Sequence, residues 1–355
     1  MAVMNPKASA VPTTWGKRAD EEQTLFPGDR RFSAFSAESR QSESERSSAT
    51  RRMKNKRTSL GIGNSPEPAA EGFTVQSLLH GTALSFARAG SSSPALDAEM
   101  LLMQVLGASR TDLYVQAHRE ISPKEQNAFN ALAERRLGGE PVAYLIGRRE
   151  FWSIDLEVDS AVLVPRPETE VLVEEVLRVA SDAEPGTLRI ADVGTGSGAV
   201  ALALAGALKR ARIVATDISR KALAVASRNA RRLRLQDRVT FLAGDLLEPL
   251  KGGFDCIVSN PPYLSEREFS SLMRDVREFE PRNALVAGRE GTEIHRRLIE
   301  TAPGHLRQGG RLFLEIGPDQ KMQVEDCFLK EGRYKDIRFR RDYGGLWRVA
   351  SAARI

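Results

Sequence analysis

Phe254-Asp255-Cys256-Ile257-Val258-Ser259-Asn260-Pro261-Pro262-Tyr263 is the stretch from which the rest of the chain can be read. An apolar run bounded by turn residues predicts a buried strand. Neither Pro261 nor Pro262 can donate to a sheet ladder, so the strand has to stop at Asn260. Its carboxyl end then carries an Asn amide, the carbonyls of Asn260 and Pro261 on a stiff backbone, and the ring of Tyr263. Two acceptors facing one small space suit a ligand with two N–H donors, such as the NH2 of a carboxamide or an exocyclic amine. The ring suits a planar group. Taken alone, the tetrapeptide reads equally well as a strand followed by a Pro-rich turn.

Strand and helix alternate on either side of it. Strands are expected at 188–193, 212–216, 239–243, 254–259, 311–316, 337–340 and 346–350. Helices are expected at 199–208, 219–230, 266–277, 294–305 and 321–329. This order predicts an α/β fold with a doubly wound, mostly parallel sheet of seven strands, the last pair antiparallel. Ligands of such sheets bind at the carboxyl ends of the strands, across the point where strand order reverses.

Those ends hold the candidate chemistry. Gly194-Thr195-Gly196-Ser197-Gly198 follows the first of these strands and opens a helix, letting backbone and amide N–H groups approach a ligand. Asp217, roughly twenty residues further on, is placed to accept from ribose hydroxyls. Gly194, Gly196 and Ala199 also satisfy a dinucleotide fingerprint, so an NAD site is a rival on this loop alone. Asp192, able to meet a cationic end of a ligand, and Asp245 with Leu246, where an adenine amino group would lie, favour S-adenosylmethionine. Asp245 in a turn or capping role is the plainer alternative.

Ahead of this part, residues 73–140 predict a small helical domain that would serve as a substrate-docking surface. Thr74 and Ser93 are candidate caps, Ser122-Pro123-Lys124-Glu125 is a capping box, and Leu96, Met100, Leu101 and Val105 form an expected buried stripe. Residues 141–165 read as strands and turns, with Tyr144-Leu145-Ile146 running into Gly147 and Phe151 to Val158 alternating as a linking hairpin. Pro165-Arg166-Pro167 then holds a cation on a rigid backbone, either as a substrate clamp or in a surface ion pair. Glu168 and Glu170 lie in the first turn of the next helix, where acids complement the dipole. The remainder, 166–355, forms the catalytic domain.

Residues 1–72 are rich in Ser, Arg, Lys, Pro and Ala and lack an apolar period, so a disordered extension is expected. A basic tail touching RNA and an upstream extension with no role, even a misplaced start before Met53, are both open readings. A net charge of +5 is too small to imply nucleic-acid binding by itself. Cys256 and Cys327 alone exclude a disulfide framework or a Cys-based metal site, and the four histidines lack metal-ligand spacing. No run of about 18 apolar residues occurs. A cytoplasmic protein is expected.

Asp192-Val193-Gly194-Thr195-Gly196-Ser197-Gly198, Asp217 and Asn260-Pro261-Pro262-Tyr263 together resemble a class I S-adenosylmethionine-dependent methyltransferase acting on a planar nitrogen. Arg149-Glu150-Phe151-Trp152, Pro165-Arg166-Pro167-Glu168-Thr169-Glu170 and Arg341-Asp342-Tyr343-Gly344 narrow the resemblance to the release-factor glutamine methyltransferase family, from about Phe73 to the carboxyl terminus. The resemblance implies transfer of methyl to the glutamine amide of the Gly-Gly-Gln motif in class I peptide chain release factors. It implies that Asn260, Pro261, Pro262, Tyr263 and Arg166 meet the substrate. Asp192, Gly194, Thr195, Gly196, Ser197, Gly198, Asp217, Asp245, Leu246 and Asn260 would hold the cofactor, with no metal. A monomer without a nucleic-acid requirement is expected. Relatives methylating a ribosomal-protein glutamine, or an adenine N6 or guanine N2, share the tetrapeptide. A binding module would have lost an acceptor or the glycines.

Overall fold

The computed structural model describes residues 73–181 and 187–355. The expected disordered extension, 1–72, lies outside them.

Four helices open the described chain: α1 (Val75–Arg88), α2 (Pro94–Leu106), α3 (Arg110–Val115) and α4 (Pro123–Leu137). Their apolar faces close on one cluster built around Phe86, Leu101, Leu102 and Phe129. Thr74, Ser109 and Ser122 each form a capping box, satisfying amides that the first helical turn leaves without a partner. Ser93 does not cap; its hydroxyl donates to Asp97 Oδ1 instead (3.0 Å). Asp97 Oδ2 in turn accepts from Arg136 (2.8 Å), a buried pair tying α2 to α4. The expected stripe on α2 is corrected at Leu96, which is 45% exposed, and at Met100, which lies outside the buried cluster, while Ala98 and Leu102 turn inward. Helix α3 was not expected.

Residues 142–146 are also corrected. They form a helical turn, α5 (Val142–Ile146), stopped by Gly147 in the left-handed region (φ 71°). The hairpin follows as β1 (Arg148–Phe151) and β2 (Ile154–Glu157), paired from Arg148↔Glu157 to Phe151↔Ile154. Trp152 and Ser153 are therefore its two-residue turn rather than strand, both with positive φ, the primed geometry that matches strand twist. Glu170 lies in the first turn of its helix as expected, and its carboxylate also accepts from the Trp152 amide (2.8 Å).

The remaining elements are α6 (Glu170–Ser181), β3 (Arg189–Val193), α7 (Ala199–Ala207), β4 (Arg212–Asp217), α8 (Arg220–Arg232), β5 (Val239–Ala243) and β6 (Phe254–Ser259). They continue with β7 (Leu264–Ser265), α9 (Glu266–Ser270), α10 (Arg274–Phe279), β8 (Val286–Gly288), α11 (Glu293–Thr301), β9 (Leu306–Glu315), α12 (Lys321–Glu331), β10 (Tyr334–Arg341) and β11 (Trp347–Arg354). The single helix expected over 266–277 is two, and β7 and β8 form a small parallel pair that was not expected. Seven strands make one sheet in the order β10-β11-β9-β6-β3-β4-β5, with β11 antiparallel to both neighbours. This is the class I methyltransferase sheet of the sequence reading.

Both faces of the sheet are covered, which is why β3 and β6 read as unbroken apolar runs. Ile190, Cys256, Val258 and Phe313 pack under α6, α7 and α8 on one side. Ala191, Ile257, Leu312 and Leu314 pack under α11 and α12 on the other. The parallel register sets Val193 beside Thr216 and Ser259, and Ser259 beside Leu314. The loops leaving β3, β4, β6 and β9 thus emerge side by side.

Candidate active site

The glycine loop is anchored from below. The amides of Gly194 and Thr195 both donate to the Thr216 carbonyl (2.9 Å each), which binds the loop to the end of β4. Gly194 and Gly196 hold φ of 72° and 56°, where a side chain would strain the backbone. The Gly196 amide donates to Asp217 Oδ2 (2.9 Å), and the Ser219 amide to Asp217 Oδ1 (2.8 Å). Asp217 is thus fixed at the mouth of the loop, and burial raises its pKa.

Asp192 is 2% exposed. Its Oδ2 accepts from the Thr195 hydroxyl (2.6 Å) and the Ala201 amide (3.2 Å). Burial pushes its carboxyl up to about 6, against the pull of those two donors and with a further push from Asp217. A buried carboxylate raised in this way favours a cationic ligand, which would restore its charged form.

These groups border a cavity of about 360 Å³, within the range of small-molecule sites. Asp192, Gly194, Thr195, Gly196, Ser197 and Asp217 line one side. Asp245 and Leu246 line another, with Asp245 Oδ2 accepting from Arg297 (2.6 Å). Asn260, Pro262 and Arg166 complete the far end. Gly198 and Pro261 do not line it. Gly198 is needed for packing, since a Cβ there would lie 3.0 Å from Leu202 and 3.2 Å from Ala226.

A second, wider cavity of about 1180 Å³ opens between the helical region and the sheet. Leu96 and Met100 of α2, Arg148 and Glu150 of β1, and Tyr263 line it. Asn260 and Arg166 border both cavities, so the two spaces meet at the end of β6.

Asn260 Nδ2 donates to the Thr169 hydroxyl (3.1 Å), leaving Oδ1 as the group without a donor among the described residues. The Tyr263 carbonyl accepts from Gln320 Nε2 (2.7 Å), which also reaches the Gly291 carbonyl (3.0 Å). Gly291 has to be glycine here, because a Cβ would stand 2.8 Å from the Tyr263 carbonyl and φ is +85°. Arg166 Nη2 donates to Glu280 Oε1 (2.6 Å), and Glu280 Oε2 accepts from the Val164 amide (3.2 Å). The cation between two prolines is therefore paired and exposed to the cavities at once.

Sequence reasoning missed Thr169, Glu280, Glu315, Gln320 and Arg297. Glu315 carried a signal, an acid inside the apolar run 312–316. The others act through contacts 52 to 114 residues apart along the chain, which no local pattern reveals.

Two family models match the chain, the PrmC N-terminal domain over residues 77–147 and the methyltransferase small domain over residues 168–276. The release factor glutamine methyltransferase of Rhodopirellula baltica is 43% identical over 286 residues, covering 79% of this chain and 96% of that one. That of Moorella thermoacetica is 44% identical over 283 residues, covering 79% and 99%. Among solved structures, the ribosomal protein L11 methylase of Lactobacillus delbrueckii subsp. bulgaricus has a TM-score of 0.39 and 25% identity over 53% of this chain and 80% of its own.

Proposed function

The chain belongs to the release factor glutamine methyltransferase family, and from that premise we propose that it methylates the side-chain amide nitrogen of the glutamine in the Gly-Gly-Gln motif of class I peptide chain release factors. The product is N5-methylglutamine. S-adenosylmethionine is the methyl donor, and when bound it supplies a methyl group activated by an adjacent sulfonium. The observation that carries the reading is that a small cavity and a wider cleft share Asn260. One space suits the donor and the other a protein segment, and a reacting amide would stand where they meet.

The residues fit the donor. The buried, raised Asp192 carboxylate suits its cationic end, and the lone pairs of Asp217 not engaged by Gly196 and Ser219 suit ribose hydroxyls. The glycine loop permits close approach of the backbone. Asp245 and Leu246 border the part of the cavity left for the base, with Arg297 holding the Asp245 carboxylate in place.

An amide nitrogen is a weak nucleophile because its lone pair is shared with the carbonyl, so positioning is the main task of the protein. Asn260 offers Oδ1 toward the cavities because Nδ2 is committed to Thr169. In this reading Oδ1 and the Pro261 carbonyl accept the two amide hydrogens of the substrate, turning the nitrogen lone pair to the methyl carbon. Pro262 closes the donor side and Tyr263 packs against the substrate amide from the cleft side. Arg166, held by Glu280, meets polar groups of the incoming segment. The amide nitrogen becomes acidic only once alkylated, so its proton leaves late and needs no strong base.

On the same reading the protein acts as a cytoplasmic monomer without nucleic acid. No helix among the described residues is long and apolar enough to cross a membrane. The test is the purified full chain with radiolabelled S-adenosylmethionine and a purified class I release factor, with ribosomal protein, transfer RNA and DNA as competing acceptors. Label on the Gly-Gly-Gln glutamine is expected. Label confined to any competitor overturns the substrate assignment.

A further inference from the structure

Glu315, the last residue of β9, is 1% exposed, and its Oε2 has no hydrogen-bond partner among the described residues. A buried carboxylate left half satisfied is costly and calls for an explanation. Its position supplies one. Ser259 of β6 is in register with Leu314, so the next residue on each strand, Asn260 and Glu315, stand side by side at the sheet end. The hydroxyls of Thr169 and Tyr263 face the Glu315 carboxylate and pull its pKa down. Thr169 is also the residue that accepts from Asn260 Nδ2.

We propose that Glu315 is a positioning residue for methyl transfer, acting through Thr169 and Tyr263 to fix which face of the Asn260 amide is presented to the substrate. The inference rests on the glutamine methyltransferase reading and deepens it. A threonine hydroxyl has one proton. While that proton is donated to Glu315, its oxygen can only accept from Asn260, so the amide must place Nδ2 toward Thr169 and Oδ1 toward the cavities. Should Glu315 be neutral, it no longer attracts both hydroxyl protons. Thr169 is then free to turn its proton onto Asn260 Oδ1, which flips the amide and offers the substrate NH2 a donor where it needs an acceptor. The same carboxylate faces the Tyr263 hydroxyl, so both walls of the acceptor site adjoin one buried acid.

The surroundings of Glu315 are mixed in sign. Arg348 of β11 lowers its pKa and Glu168 raises it, while Arg348 is itself paired to Asp342 (3.0 Å). Among the described residues His295 of α11 hydrogen-bonds to the Glu315 backbone carbonyl (2.8 Å) and not to its carboxylate, and burial holds its pKa down so that it stays neutral. Burial outweighs these and pushes the Glu315 carboxyl up to about 7. The charged, orienting form is therefore lost as pH falls through neutrality.

The experiment measures kcat against pH, from about 5.5 to 9, with saturating S-adenosylmethionine and a release factor, for the wild type, Glu315→Gln and Thr169→Val. The wild type should show an acid limb near neutrality. Both variants should lose on the order of tenfold to a hundredfold in kcat at alkaline pH, as expected for a misplaced reacting group. Both should lose that limb and bind S-adenosylmethionine within about threefold of wild type. The double variant should be no worse than the poorer single one. A Glu315→Gln enzyme with wild-type kcat, or one slower at every pH with the acid limb intact, overturns the proposal. If Glu315→Gln does not fold, Thr169→Val decides alone, and an unchanged kcat and limb overturn it. Absence of wild-type label on the release factor would instead overturn the functional reading, so the two failures remain distinct.

Discussion

At the scale of single residues, the site places charge where folding disfavours it. Both hydrogen bonds to Asp192 go to Oδ2, from Thr195 and Ala201. An asparagine with its oxygen at that position would keep both and put NH2 where the second carboxylate oxygen was. Because burial raises the folded pKa from 3.8 to about 6, Asp192 stabilises the fold below about pH 4 and loses that contribution as pH rises through 6. At neutral pH its ionised form costs the ligand-free protein on the order of 3 kcal/mol. Asp192→Asn should therefore raise the ligand-free Tm by a few degrees near pH 7.5 and by little near pH 4, while weakening S-adenosylmethionine binding at least about tenfold. Scanning calorimetry and titration calorimetry check the two halves. A variant that is less stable at neutral pH and binds as before would remove Asp192 from the cofactor site. Asp192 and Asn260 were legible in the sequence because each is a polar residue at an abrupt end of an apolar run. Thr169 was not, since its significance comes from a hydrogen bond to a residue 91 positions away.

At the scale of elements, the chain reads well where burial is two-sided and poorly where structure is short. Strands β3, β4, β6 and the second half of β9 are largely buried on both faces and stop at Gly, Asp, Asn or Glu, so their existence followed from sequence, whereas the edge strand β5 is only partly buried. The turn at Trp152-Ser153 did not, because the favoured residues for positive φ are Asn and Gly, and neither is present. Helix α5 and the β7–β8 pair are too brief for a period to register. The segment from Val162 to Thr169 is another such case. It has no regular structure before its 3-10 turn and is held by Glu280, which takes both the Arg166 guanidinium and the Val164 amide. Glu280→Ala should cost about 1–3 kcal/mol, less than breaking a fully buried pair because Arg166 is partly exposed. It should also raise KM for the release factor more than it lowers kcat. Urea denaturation and steady-state kinetics test this; an unchanged urea midpoint would show that the segment is held by packing alone.

At the scale of the molecule, the helical region and the sheet region keep separate apolar cores, yet a single cleft is walled by both. Leu96 illustrates why. It satisfies the helical spacing of a core residue, which is why the sequence places it in the stripe of α2, but it is 45% exposed and lines the cleft that ends at Asn260. Periodicity reports that a helix face is apolar without reporting what it meets, and here part of that face borders the cleft instead of the core. If Leu96 contacts the release factor away from the reacting glutamine, it contributes equally to ground-state and transition-state binding. Removing that contact should then change KM and leave kcat alone. Leu96→Glu should raise KM for the folded release factor by about tenfold, the equivalent of losing roughly 1.4 kcal/mol of apolar contact. S-adenosylmethionine affinity and Tm should stay as in the wild type, because the side chain is outside both cores and outside the smaller cavity. A short peptide carrying only the Gly-Gly-Gln turn, too small to span from β6 to α2, should be methylated equally by both enzymes. An equal loss on peptide and on folded factor would mean that the substitution distorts the end of β6, and α2 would then not be a docking wall.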